Sequence, residues 1–199
     1  TGIYPYSMMT STFLPIDSTH SLKVSSSSQE WCGHTYMELK NKKSFEVDIN
    51  SYFEGESQKN IQLDKALLED DFWSKIRINP HKLPKGNQNI IPSFFFLRLK
   101  HQELRTYTCI ISHIEKDNTT STYAMYYPEL KRNLRIDYET EFPHKILAWE
   151  ESYTSGFGSK RQKLTTSAKL IKSIKVDYWN KNSTKDSKLR KDLKLDYFF

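Results

Sequence analysis

Hydrophobic and polar positions alternate with period two in several stretches of this chain, a spacing that puts the apolar side chains on one face of a strand. Phe45-Glu46-Val47-Asp48-Ile49 sets Phe45, Val47 and Ile49 against Glu46 and Asp48, and Leu134-Arg135-Ile136-Asp137-Tyr138 repeats the pattern. Leu97-Arg98-Leu99 alternates briefly. Residues 108–114 are more continuously apolar and read as a central strand, with further strands expected at 146–149 and within 164–176. Turn signals separate them at Asn41-Lys42-Lys43, Glu54-Gly55-Glu56, Asp117-Asn118 and Gly156-Phe157-Gly158. Many medium strands joined by short turns indicate an antiparallel meander or open barrel, not alternating β and α units. The serine run 25–28 suits a loop or a strand with a serine face.

One segment changes period. Leu68, Phe72 and Ile76 recur at i+4, so the sequence predicts an amphipathic helix with Asp64 as its N-cap. Asn79-Pro80 ends it, because the residue before a proline disfavours the α region. A second helix is expected from about Thr184 to Leu193. The expected fold is therefore mainly β (α+β): a curved antiparallel sheet or half-open β-barrel with one amphipathic helix packed on it. No repeat or linker divides the 199 residues, so a single domain spanning 1–199 is expected.

Composition sharpens this reading in two ways. The chain has 12 Tyr, 11 Phe and 4 Trp, residues that suit a pleated, half-buried surface. The net charge of +6 is concentrated at one end: residues 159–199 hold 12 Lys/Arg against 4 Asp/Glu, and the rest is close to neutral. That excess is either a solvated face or a footprint for an anionic surface. Nucleic acid is the weaker fit, because the one interleaved stretch, Lys175-Val176-Asp177-Tyr178-Trp179-Asn180-Lys181, reads as an aromatic edge of the core. No run reaches the ~18 apolar residues that a transmembrane helix needs. Cys32 and Cys109 match no zinc or redox spacing, and are either one disulfide or two thiols.

Chemistry-bearing residues are few. Gln29-Glu30-Trp31-Cys32-Gly33-His34 places a carboxylate, a thiol and an imidazole within five residues. Cys32 and His34 share a strand face, so a nucleophilic thiol with a neighbouring base is one reading. A strand with packed Trp31 and Cys32, making a tight backbone approach at Gly33, is the other. Glu150-Glu151 point to opposite faces and read as solvated charge. His101, His113 and His144 lack metal-site spacing, and Gly156-Phe157-Gly158-Ser159-Lys160 reads as a hairpin turn, not a phosphate loop. No metal or organic cofactor is implied.

Residues 26–36, the helix end Phe72-Trp73-Ser74-Lys75-Ile76-Arg77-Ile78-Asn79-Pro80, and the stretches 143–151 and 175–181 resemble a family of uncharacterised bacterial envelope-associated proteins. Its members sometimes carry the label septum formation inhibitor. The Ser-x-Ser-Pro-Arg-Arg-type loop of the nucleotide pyrophosphatases with that name is absent, so no activity carries over. The resemblance implies a periplasmic or outer-membrane-associated protein, here as the C-terminal part of a longer precursor. Its architecture is similar to the half-barrel of periplasmic lipoprotein carriers. On that reading a lipid or other hydrophobic ligand occupies a sheet groove lined by Phe72, Trp73, Phe94, Phe96 and Trp149. The alternatives are an enzyme using Glu30, Cys32 and His34, and an interaction module using the basic C-terminal region.

Overall fold

The computed structural model describes residues 5–156 and 158–195. Strands occupy 46% and helices 18%, so the fold is mainly β as the alternation predicts, and no barrel closes among the described residues. Two sheets are present, each with its strands in chain order. The first is an antiparallel meander of β1 (Ser7–Phe13), β2 (Lys23–Glu30), β3 (Gly33–Asn41), β4 (Phe45–Asn50) and β5 (Gln58–Leu63).

The second sheet has seven strands: β6 (Leu67–Leu68), β7 (Gly86–Ile91), β8 (Tyr107–Glu115), β9 (Thr120–Tyr127), β10 (Arg132–Glu139), β11 (Ile146–Ser155) and β12 (Gln162–Lys169). It is antiparallel except where β6 pairs with β7. Helices α1 (Glu69–Ile78) and α2 (Phe94–Leu99) lie in the connections around β7, and α3 (Lys188–Asp192) follows β12.

The period-two stretches bury one face as expected. Phe45 and Val47 on β4, and Leu134, Ile136 and Tyr138 on β10, are buried. They join Phe72 and Ile76 of α1 and Phe94 and Leu97 of α2 in one core cluster fed by both sheets. The serine run is strand β2, with Ser26 and Ser28 buried and Ser25 and Ser27 half-buried. Gly33 is a place where a side chain is excluded, since a Cβ there would lie 2.5 Å from Cγ of Tyr52.

Four local expectations are corrected. Helix α1 starts at Glu69, five residues beyond Asp64, because Leu67 and Leu68 pair with Ile90 and Ile91 and Leu68 stays extended at φ −105°, ψ 126°. Its end is as predicted: the Asn79 N–H donates to the Lys75 carbonyl and the chain turns at Pro80. Leu97-Arg98-Leu99, expected to alternate as a strand, closes helix α2, because the run of large apolar residues Phe94-Phe95-Phe96-Leu97 that leads into it fits a helix packed on the core better than a half-exposed strand. The last strand stops at Lys169, the Leu170 N–H makes a final bond to the Leu147 carbonyl of β11, and residues 171–177 leave the sheet. Trp31 is 65% exposed, and Tyr178 and Trp179 are also exposed, so neither site is the packed aromatic expected. No described helix is long and apolar enough to cross a membrane.

Candidate functional site

The first turn of α1 carries three consecutive acids, Glu69, Asp70 and Asp71, all buried. Negative side chains at a helix N-terminus are favoured by the peptide dipoles, but burying them requires partners. Each acid finds one on a different element. Asp71 accepts from the Ser21 backbone N–H at 3.1 Å and the Ser21 hydroxyl at 2.6 Å, tying α1 to the segment entering β2. Asp70 accepts from the Phe94 N–H at 3.1 Å, satisfying a free donor in the first turn of α2. Glu69 takes both terminal nitrogens of Arg132 on β10, at 2.5 and 2.7 Å, and accepts the Tyr127 hydroxyl at 2.7 Å.

Arg132 is 2% exposed. Its Nε donates to Glu151 on β11 at 2.6 Å, and its guanidinium stacks over the Phe96 ring at 4.2 Å. Burial opposes the charge on Arg132, yet Glu69 and then Glu151 outweigh it and keep the guanidinium ionised. Burial, then the charge of Glu69, pushes Asp70 up to about 7. Burial and then Glu69 likewise raise the Tyr127 phenol far above its usual range.

This polar cluster forms the floor of a groove of about 590 Å³. The pleat of β11 aims Trp149, Glu151 and Tyr153 into it, leaving Glu150 on the other face. Trp73 of α1, Phe95, Phe96 and Leu99 of α2, and Leu134 of β10 complete the apolar walls. Met8, Thr10 and Thr12 of β1 and Thr166 of β12 stand at its sides, so edge strands of both sheets flank it. Trp73 and Trp149 meet edge to face with centroids 6.3 Å apart, and Phe96 meets Tyr153 at 6.0 Å. Lys100 sits over the Tyr153 ring at 4.3 Å and donates to Ser155; burial lowers its pKa.

Of the five aromatics expected to line a ligand site, Trp73, Phe96 and Trp149 do so. Phe72 and Phe94 lie in the core, 0% and 1% exposed, and support the groove from behind. Glu151 is a wall residue bonded to Arg132, not the solvated charge expected of it. The reading of the sequence missed Phe95, Tyr153 and the whole charged floor. A signal for Arg132 was present: it continues the Leu134, Ile136, Tyr138 face by one period, which marks a buried arginine.

Glu30, Cys32 and His34 lie elsewhere, at the β2–β3 hairpin. Glu30 accepts from the Cys32 N–H at 2.9 Å and from the Tyr52 hydroxyl. Reduced hydration and then the Glu30 carboxylate raise the Cys32 thiol pKa, which opposes thiolate formation. His34 is exposed on β3 opposite Gln29. Both cysteines are thiols, Cys32 exposed and Cys109 buried, with burial pushing Cys109 up to about 12. Among the described residues, no group of three His, Cys, Asp or Glu side chains is arranged to hold a metal ion. No protein family, curated protein or solved structure matches the chain.

Two predictions follow from the floor. Arg132→Met leaves Glu69 buried without its counter-charge and should lower unfolding free energy in urea by about 3–5 kcal/mol. Adding Glu69→Leu should recover most of that loss. Asp70 binds its proton more tightly folded than unfolded, so it lowers stability as pH rises from about 4 towards 7, by at most about 1.4 kcal/mol per pH unit. Above that window its contribution is constant. Urea unfolding across this range should show a flatter pH profile for Asp70→Asn than for the wild type.

Proposed function

We propose that the protein binds a lipid or another hydrophobic ligand in the groove between β1, α1, α2 and β10–β12. The observation that carries this reading is the pairing of the Trp73, Phe96 and Trp149 walls with a recessed polar floor. Apolar, aromatic-lined concavities of roughly 300–1,000 Å³ with a few convergent polar groups are where small ligands bind. Hydrocarbon would lie against the aromatic walls. A polar end would meet the Asp70 and Glu151 carboxyls, since Glu69 and Arg132 largely satisfy each other. On the same reading the protein works in the periplasm or at the outer membrane, where a hydrophobic ligand needs a shielded passage through water.

The test uses the monoglyceride of 9,10-dibromostearic acid, an uncharged amphiphile whose hydroxyls can donate to carboxyls and whose bromines quench nearby tryptophans. Only Trp73 and Trp149 of the four tryptophans line the groove. A Trp31→Phe/Trp179→Phe protein, which keeps the groove pair, should show saturable quenching. A Trp73→Phe/Trp149→Phe protein should show little. Equal quenching in the two, or none in either, would overturn the reading.

A further inference from the structure

We propose that the chain from Arg161 to Leu195 is a docking surface for an anionic phospholipid bilayer. From Arg161 to Leu195 no residue is buried. Every residue of β12 is exposed, and beyond it Ile171 is 73%, Tyr178 76% and Trp179 66% exposed. Apolar side chains left in water on this scale mark an interaction site. Leu170, Val176 and Leu195 are exposed on the same stretch of chain.

The charges choose the partner. Residues 161–195 hold eleven Lys/Arg against three Asp, an excess of eight positive charges. Between 169 and 181 the cations are Lys169, Lys172, Lys175 and Lys181, interleaved with Leu170, Ile171, Ile174, Val176, Tyr178 and Trp179. The single acid in that stretch, Asp177, is paired with Lys181 at 2.9 Å. All four cations are lysine. Protein interfaces enrich arginine and deplete lysine, and base readout in DNA relies on arginine's fork. A nucleic-acid backbone would also gain nothing from Ile171 or Val176.

A bilayer accounts for all of these features together. Diffuse lysine charge is attracted to anionic headgroups, lysine stems lie along apolar surface, and Trp and Tyr rings settle at the headgroup level. The inference does not rest on the groove, because none of the residues from 169 to 181 lines it.

The experiment is co-sedimentation of the full chain with phosphatidylcholine vesicles, with and without phosphatidylglycerol. Binding should require phosphatidylglycerol, fall as sodium chloride rises, and shift the Trp179 emission to the blue. Lys172→Ser with Lys175→Ser should weaken partitioning roughly 25-fold, at about fivefold per lysine. Ile171→Ser with Trp179→Ser should weaken it at unchanged charge. These side chains are exposed, so the variants should keep the wild-type thermal unfolding curve. Equal binding to neutral vesicles, insensitivity to salt, or indifference to the Ile171 and Trp179 changes would each overturn the proposal. So would binding to a single-stranded oligonucleotide without binding to vesicles.

Discussion

Arg132 and Glu69 meet where both sheets and the first helix converge, and neither could be buried there alone. Taking an arginine and a carboxylate out of water costs several kcal/mol per ion, which only close, hydrogen-bonded geometry recovers. Here two guanidinium nitrogens reach Glu69, a third reaches Glu151, and the Tyr127 hydroxyl fills a further acceptor site on Glu69. The pair fixes the first turn of α1 against β10. From that point Asp70 reaches α2 and Asp71 reaches the entry to β2. Three adjacent acids thus hold three different elements to one helix end. The position of Trp73, one turn further along, is a consequence.

The groove follows from this arrangement. The bulk of α1 and α2 contributes Phe72, Ile76, Phe94 and Leu97 to the core. Their other sides, through Trp73, Phe95, Phe96 and Leu99, face the space beside β10 and β11. Arg132 stacks beneath Phe96 and so belongs to both the electrostatic anchor and the aromatic wall. Asp70 is the least settled member of the floor. It sits buried beside Glu69, and burial and then that neighbouring charge push its pKa up to about 7.

The sheets were legible because alternation is a local signal. Phe45, Val47, Leu134, Ile136 and Tyr138 could be placed inward from spacing alone, and the structure buries them. The start of α1 was not legible, since Asp64 looks like a cap and only the non-local pairing of Leu67–Leu68 with β7 keeps those residues extended. Helix α2 was hidden for a similar reason: three residues of apparent alternation were outweighed by packing around Phe94 and Leu97. For the candidate site, Trp73, Phe96 and Trp149 were found by their aromatic character, while Phe72 and Phe94 share that signature and lie in the core. The Glu69–Arg132 pair spans 63 positions of sequence, so local patterning carries no record of which charge meets which.

The central claim is that a groove built over this ion pair receives a hydrophobic ligand. Its most direct test is the ¹⁵N–¹H spectrum of the tryptophan indoles during titration with monooleoylglycerol, an uncharged amphiphile, below its aggregation concentration. The account predicts that the Trp73 and Trp149 resonances shift together and saturate while those of Trp31 and Trp179 stay in place. Shifts confined to Trp31 and Trp179, or no saturable shift at Trp73 and Trp149, would contradict it.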